Sequence, residues 1–194
     1  IWPAARLAEV AEVAKTAGLA VHLDGARVLN ASVATGIDPK TYASGHDSAW
    51  LAFTKGLGCP VGAVLAGSAA FIADAWLLKR RWGGAMRQTG VLAAMCLYAL
   101  DHNVARLADD HALARRLAEG LLETGLVASI APVETNIVLA ELAPGAPDAR
   151  PLLERLKPDG VRFTVVGPRR IRLVAHMDVD QSSVDALLAA IRRL

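Results

Sequence analysis

One lysine, Lys55, follows a short apolar stretch and opens a glycine-rich turn, Leu-Ala-Phe-Thr-Lys-Gly-Leu-Gly-Cys-Pro-Val-Gly at residues 51–62. Residues 50–53 predict a buried strand, and an amine at the end of such a strand is partly desolvated and able to attack a carbonyl group. Gly56 and Gly58 carry no Cβ, so a flat ligand could lie close to the backbone. The structural alternative is a lysine that only extends from a strand end into solvent. On this stretch alone both interpretations stay open.

A carboxylate stands at the end of a second predicted strand. Asp24 lies 31 residues before Lys55, directly after the apolar residues 20–23 and before Gly25. In an open α/β sheet the carboxyl ends of the strands line the ligand-binding crevice, so we expect Asp24 and Lys55 to face one ligand. A pyridine-ring cofactor that carries an aldehyde suits this pair, because the acid keeps the ring nitrogen protonated while the amine binds the aldehyde.

Three motifs together resemble the L-threonine aldolases, enzymes of the aspartate-aminotransferase fold (fold type I) that use pyridoxal 5'-phosphate (PLP). They are His-Leu-Asp-Gly-Ala-Arg at 22–27, Thr-Lys-Gly-Leu-Gly-Cys-Pro-Val-Gly at 54–62 and Trp-Gly-Gly-Ala-Met-Arg-Gln at 82–88. Each motif alone is weak, whereas the three in this order are specific. The resemblance implies retro-aldol cleavage of L-threonine, L-allo-threonine or a related L-3-hydroxy-α-amino acid to glycine and an aldehyde. The alternatives are another fold type I reaction, β-elimination or transamination, and a truncated chain without catalysis.

The resemblance also assigns cofactor-binding roles. It implies that Lys55 forms the covalent link to the PLP aldehyde and that Asp24 pairs with the ring nitrogen, with Thr54 beside the lysine. Ala26 is small enough to lie flat under the ring, and Arg27 is expected to reach the phenolic oxygen. For Arg27, a structural ion pair is the alternative.

Substrate binding is assigned in the same way. Arg172 lies in a stretch that resembles the family's small-domain strand, whose arginine binds the substrate α-carboxylate through two parallel hydrogen bonds. Strand alternation places Arg170 on the same face, and the motif favours Arg172. Three positions depart from the family pattern: Thr54 replaces a serine, Ala85 replaces a third glycine, and Arg80 stands where some relatives carry an active-site lysine. Arg80 is therefore a second candidate contact for the substrate.

The apolar patterns predict an α/β chain. The first half alternates helices and strands, with helices at 3–16, 28–35 and 68–81, parallel strands at 20–23 and 50–53, an antiparallel strand at 61–66 and a loop at 37–45. Helices at 89–103 and 104–120 follow. Shorter strands at 126–130, 137–142, 162–166 and 171–174 then combine with helices at 148–156 and 182–193. We therefore expect a partial large PLP-binding domain over 1–105 and a small α+β domain over 106–194.

Composition excludes several classes of protein. A net charge of +2 is too small to predict nucleic acid or an anionic membrane as a partner. The longest apolar stretch, 61–78, contains two glycines and an aspartate and does not predict a membrane span. Cys59 and Cys96 have no disulfide or metal spacing, which favours a reducing, cytoplasmic compartment, and Cys59 is expected to be a small buried apolar residue. The five histidines form no zinc motif, so no metal is predicted.

The resemblance predicts a C-terminal portion of such an enzyme. In the family, a glycine-rich loop for the cofactor phosphate and a histidine that stacks on the ring come earlier, and neither motif occurs here. The base that takes the β-hydroxyl proton is accordingly not assigned; a histidine or an ordered water is expected. The family assembles as dimers or tetramers, and the apolar Trp76, Trp82 and residues 91–100 predict a homo-oligomer, with burial in the chain's own core as the alternative.

Overall fold

The structure is a computed structural model that describes all residues, 1–194. Its helices are α1 Ala4–Thr16, α2 Val28–Thr35, α3 Pro39–Ala43, α4 Ala69–Arg81, α5 Gly90–His102, α6 Leu107–Glu123, α7 Ala149–Leu156 and α8 Gln181–Arg192. Its strands are β1 His22–Asp24, β2 Ser48–Ala52, β3 Ala63–Gly67, β4 Val127–Ile130, β5 Ile137–Leu142, β6 Thr164–Gly167 and β7 Arg170–Val174. The chain divides into two units, Ile1–Ala105 and Arg106–Leu194.

The first unit contains a three-stranded sheet in the order β1-β2-β3. The β1 and β2 strands run parallel, with Asp24 opposite Trp50. The β2 and β3 strands pair antiparallel through the tight connection that carries Lys55. The predicted parallel and antiparallel pairings are both confirmed. Two helices, α2 and α3, connect the parallel pair, whereas a loop without a helix, residues 53–62, connects the antiparallel pair.

Local capping signals set several helix boundaries in this unit. Gly36 ends α2 in the left-handed conformation with φ 72°, which glycine adopts without steric cost. Ser68 caps α4 at the start of the predicted helix, and its Oγ accepts a hydrogen bond from the Phe71 N–H at 3.2 Å.

The predicted loop at 37–45 is wrong, because it contains the short helix α3. The Asp38 side chain accepts a hydrogen bond from the Lys40 N–H at 2.7 Å, and Pro39 occupies the first helical turn. Tyr42 anchors the helix as its one buried residue. A helix of five residues is too short to show periodicity, so only its cap could have revealed it.

The second unit is built on a four-stranded antiparallel sheet in the order β4-β5-β7-β6. Alternate residues of β5 and β7 are buried, among them Val138, Ala140, Ile171 and Leu173. These side chains form one core cluster with buried residues of α6, α7 and α8. The alternation leaves Arg170 and Arg172 on the other face of β7. The predicted helix at 104–120 begins too early, since α6 starts at Leu107.

Burial differs between the two units. Of the 23 large hydrophobic side chains that are exposed, 19 belong to the first unit and 4 to the second. The α4 helix contains no buried residue, and every residue of β3 is exposed. The first unit therefore presents extensive apolar surface. None of the eight helices combines the length and the apolar character that a membrane-spanning segment needs.

Candidate active site

Asp24 ends β1 beside β2. Its Cα lies opposite that of Trp50 in the parallel register. The Asp24 Oδ1 accepts a hydrogen bond from the Ala26 N–H at 3.1 Å, which fixes the carboxylate against the turn that leads into α2. Asp24 is exposed and forms no ion pair with a cationic side chain. The carboxylate is thus oriented by its own turn and open to an external partner.

Gly25 allows the chain to leave β1 in close contact with β2. A Cβ at this position would lie 2.5 Å from the Trp50 carbonyl oxygen, well inside van der Waals contact. Position 25 therefore requires glycine because there is no room for a side chain. Its backbone conformation is not the reason, since it lies outside the left-handed region. The sequence Asp-Gly-Ala is explained by this close approach, which places Asp24 at the edge of the sheet.

Lys55 lies in a loop that closes on itself. The Phe53 N–H donates to the Gly62 oxygen at 3.0 Å, and the Cys59 N–H donates to the Phe53 oxygen at 3.0 Å. Within this frame the Gly58 N–H donates to the Lys55 oxygen at 2.9 Å. Gly58 has φ 73°, which explains why a glycine follows the lysine at this spacing.

The same loop is held from α5. The Asn103 Nδ2 donates a hydrogen bond to the Leu57 oxygen at 2.8 Å. Leu57 itself is buried. The lysine is consequently presented from a hydrogen-bonded frame, as a site that must hold a ligand in a fixed position requires.

Trp50 links Asp24 and Lys55. The Lys55 Nζ lies 5.1 Å from the centroid of a Trp50 ring, within the range of a cation–π contact. Lys55 is half-buried and forms no ion pair with a carboxylate. The strand-end carboxylate and the loop lysine, which we expected to face one ligand, therefore share Trp50 as a neighbour. The linking role of Trp50 was missed, although its position at the end of the predicted strand was a signal.

The other expected cofactor residues lie close by in sequence. Ala26 and Arg27 are half-buried in the turn before α2, and Thr54 is exposed next to Lys55. Arg80, in contrast, is exposed in the last turn of α4 and has no hydrogen bond or ion pair with any of them. These three residues therefore adjoin Asp24 or Lys55 along the chain, whereas Arg80 has no hydrogen bond or ion pair that links it to them.

A polar pair on the same strands was not predicted. The His22 Nδ1 and the Ser48 Oγ are 2.8 Å apart. By strand alternation His22 lies on the same face of β1 as Asp24, two residues away. Ser48 is buried, so this hydrogen bond satisfies a hydroxyl that would otherwise lack a partner. The spacing of two from Asp24 was the signal that could have indicated it.

The second unit carries Arg172 in the interior strand β7. Its backbone lies opposite Leu139 of β5 and Thr164 of β6. The Arg172 Nε is buried without a hydrogen-bond acceptor, whereas Arg170 forms an ion pair through its Nε with Glu141. A buried donor without an acceptor favours binding of an external anion. The two arginines therefore differ: Arg170 is neutralised within the chain and Arg172 is not.

These residues fit a PLP-type cofactor. Asp24 supplies a carboxylate with no cationic partner and Lys55 supplies an amine with no acidic partner. Gly25 and Ala26 keep bulky side chains away from the strand end beside them. No group of three or more His, Cys, Asp or Glu side chains is arranged as a set of metal ligands. The chemistry of the donor set is therefore that of an aldehyde bound by an amine and a ring nitrogen held by an acid.

Comparison with known proteins gives consistent matches. A family model described as beta-eliminating lyase matches residues 1–144. The chain is 43% identical over 107 residues to the low-specificity L-threonine aldolase of Candida albicans and 44% identical over 107 residues to that of Escherichia coli K12. Its structure aligns with that of Leishmania major threonine aldolase with a TM-score of 0.77 and 19% identity.

The extent of these matches differs between the chains. The two sequence alignments cover 55% of this chain and 29% and 32% of those relatives. The structural alignment covers 98% of this chain and 56% of the Leishmania protein. The chain thus spans less than two thirds of the length of the proteins it matches.

Proposed function

Because the chain belongs to the beta-eliminating lyase family, we propose that it acts in PLP-dependent retro-aldol cleavage of L-threonine, L-allo-threonine or a related L-3-hydroxy-α-amino acid to glycine and an aldehyde. The comparisons confirm the resemblance to the threonine aldolases and the predicted fold type I class. The observation that carries the proposal is the arrangement of Asp24 and Lys55 around Trp50.

The first unit would hold the cofactor. Lys55 would bind the PLP aldehyde, and Asp24 would keep a proton on the ring nitrogen through a charge-assisted hydrogen bond. Ala26, Arg27 and Thr54 would contact the ring and its substituents. When bound, PLP supplies an electron sink for the pair left at Cα as the Cα–Cβ bond breaks.

Arg172 is the proposed contact for the substrate. Arg172 binds the α-carboxylate with two parallel hydrogen bonds, a geometry that an ammonium does not offer. Its buried Nε without an acceptor supports this role. Arg80 is a second proposed substrate contact, supported only by its position, where some relatives carry an active-site lysine. We also propose that 1–105 is part of the large PLP-binding domain, that 106–194 is the small C-terminal domain, and that the protein is a cytoplasmic homo-oligomer.

A β-eliminating activity is the second candidate, because the matching family model carries that description. The two reactions break different bonds of the same substrate. Retro-aldol cleavage of threonine releases glycine and acetaldehyde. β-Elimination releases ammonia and a 2-oxo acid.

The test is product analysis. The chain is incubated with PLP and threonine, and in parallel with serine, and aldehyde, glycine, ammonia and 2-oxo acid are measured. We expect aldehyde and glycine in equal amounts from threonine. Ammonia and 2-oxo acid without aldehyde would establish β-elimination instead. If no product forms and borohydride fixes no PLP on Lys55, the chain is a non-catalytic portion and the proposal fails.

A further inference from the structure

The structure brings the two cysteines together although they are 37 residues apart in the sequence. The Cys59 thiol lies 3.7 Å from the Met95 carbonyl oxygen, and the Cys96 thiol lies 3.8 Å from the Val61 carbonyl oxygen. Each sulfur is therefore packed against the backbone beside the other cysteine. The two thiols therefore lie where the loop that carries Lys55 packs against α5.

Gly62 makes the room that this pair needs. Its φ is 134°, in the region that favours glycine, and a Cβ there would lie 2.9 Å from the Cys96 sulfur and 3.6 Å from the Phe53 Cβ. The last glycine of the lysine motif therefore leaves room for the Cys96 sulfur, which a Cβ at this position would crowd. Cys59 is buried, with 8% of its surface exposed, whereas Cys96 is partly exposed. An oxidant from solvent can thus reach one sulfur of the pair more easily than the other.

We propose that Cys59 and Cys96 are a redox modification site that forms a reversible intrachain disulfide in response to hydroperoxide. The Cys96 sulfur attacks hydrogen peroxide, forming a sulfenic acid and releasing water. The Cys59 sulfur then attacks that sulfur, the S–O bond breaks, and a second water leaves as the S–S bond forms. Two thiols are oxidised by two electrons and one peroxide is reduced to two waters. A small dithiol reverses the bond by thiol exchange.

The surroundings of Cys59 determine its role in this two-step oxidation. Burial raises the pKa of the Cys59 thiol above its ordinary value, and the neighbouring Cys96 thiol raises it further. The thiolate is the reactive form, so Cys59 is protected from direct oxidation and serves as the resolving partner. The closing step is accordingly expected to become faster as the pH rises, because more Cys59 thiolate is then present.

The disulfide would restrain the lysine loop. Backbone hydrogen bonds from Phe53 to Gly62 and from Cys59 to Phe53 already close the loop of residues 53–62. The side chain of Asn103, the residue directly after α5, also donates a hydrogen bond to the Leu57 oxygen. A covalent link from Cys59 to Cys96 adds a second tie between this loop and α5. Opening of the loop would then require a larger part of the unit to move. This consequence does not depend on the proposed function.

The experiment counts thiols in the reduced chain before and after treatment with limiting hydrogen peroxide. After denaturation, we expect two titratable thiols per chain to become none, a mass loss of two hydrogens, a peptide that links Cys59 to Cys96, and recovery with dithiothreitol. The single variants Cys59→Ser and Cys96→Ser are the matched controls and cannot form the intrachain link. Two thiols remaining, or a link only between different chains, would overturn the proposal.

Hydrogen exchange measures the restraint separately. The amides of Gly58 and Cys59 should exchange several-fold more slowly in the oxidised chain than in the reduced chain, and at equal rates in Cys96→Ser before and after peroxide. Equal rates in the oxidised and reduced wild-type chain would show that the disulfide leaves the loop unrestrained and would overturn this part of the proposal.

Discussion

Two lysines of the first unit have similar contacts but different surroundings. The Lys55 Nζ is 5.1 Å from a Trp50 ring centroid, and the Lys79 Nζ is 4.7 Å from that of Trp76. A cation–π contact alone therefore does not distinguish a reactive lysine. Lys55 differs because Trp50 is paired with the strand residue Asp24, whereas Lys79 lies on an exposed helix. The pair of lysines provides a matched control.

We predict that Lys55→Ala abolishes PLP attachment and that Lys79→Ala preserves it. The physical reason is that only Lys55 lies next to Trp50, whose strand partner Asp24 offers a carboxylate that can hold the ring nitrogen. The measurement is borohydride reduction in the presence of PLP, followed by absorbance and peptide mapping. Labelling of Lys55→Ala at the wild-type level would contradict the assignment.

The two arginines of β7 give a second residue-scale prediction. Arg172→Lys should lower kcat/KM for threonine roughly 10- to 100-fold, mainly through KM, because a lost charge-assisted hydrogen bond costs about 1.5–3 kcal/mol. Arg170→Lys should change it less than about threefold, since Arg170 already pairs with Glu141. Steady-state kinetics on both variants decides between them. If Arg172→Lys left kcat/KM unchanged and Arg170→Lys lowered it strongly, Arg170 would be the residue that binds the substrate carboxylate.

Residue types and spacing predicted that Asp24 and Lys55 lie at strand ends, because each follows an apolar stretch. Such a stretch is a local feature of the sequence. Two features could not be predicted in this way: the packing of the Cys59 and Cys96 sulfurs against backbone near each other, and the pairing of Arg170 with Glu141. They depend on strand order and helix packing across tens of residues, which local spacing does not encode.

At the scale of elements, the junction of β1 with β2 depends on Gly25. We predict that Gly25→Ala lowers the free energy of unfolding by about 1–3 kcal/mol, because its Cβ would lie 2.5 Å from the Trp50 oxygen and the strands must separate. Gly90→Ala is the control, since no atom lies within 4 Å of its added Cβ, and it should change stability by less than about 1 kcal/mol. Urea unfolding provides the measurement. Equal effects of the two substitutions would contradict the close-packing explanation.

The α8 helix begins at a capping box whose acid is pH-sensitive. The Asp180 carboxylate accepts hydrogen bonds from the Ser182 hydroxyl, the Ser183 N–H and the Ser183 hydroxyl. These bonds, that of the Ser182 hydroxyl first, lower the pKa of Asp180 from 3.8 to about 2. Because the folded-state pKa is depressed, the stabilisation is complete above the unfolded pKa and is lost as the pH falls toward 2.

We therefore predict that Asp180→Ala lowers the thermal midpoint at pH 5 and that its difference from wild type shrinks between pH 4 and pH 2, near the unfolded and folded pKa values of 3.8 and about 2. Asp74→Ala is the control, because Asp74 is an exposed residue within α4 whose side chain forms no hydrogen bond or ion pair and caps no helix. Thermal melts monitored by circular dichroism at several pH values give the answer. A pH-independent difference for Asp180→Ala would show that the charge is not what stabilises the helix.

Element boundaries could be predicted where a local signal marks them. Gly36 ends α2 and Ser68 caps α4 where the sequence indicated. The β1 strand instead begins at His22 rather than at residue 20, because strand pairing with Ser48 sets where the ladder starts. Cap and turn residues are thus local signals, whereas strand ends depend on their neighbours.

At the scale of the whole molecule, the apolar surface is unevenly distributed. The second unit buries one continuous core cluster, while the first exposes most of the large hydrophobic side chains. Trp82 is 78% exposed and Trp76 is 51% exposed, both at or near the end of α4. Exposed patches of this kind are characteristic of protein–protein contacts. Burial in the chain's own core, the alternative to an oligomer contact, is therefore wrong for Trp76 and Trp82. Contact with another chain stays a proposal.

We predict that the chain self-associates through this surface. Burying an exposed tryptophan is among the larger single contributions to an interface, and a charge in its place must be desolvated. Trp82→Glu should therefore shift the sedimentation coefficient toward that of the monomer. Leu122→Glu, at a side chain that is 48% exposed in the second unit, should leave it unchanged. Sedimentation velocity at several concentrations is the measurement, and a well-folded wild-type monomer at all of them would contradict the proposed homo-oligomer.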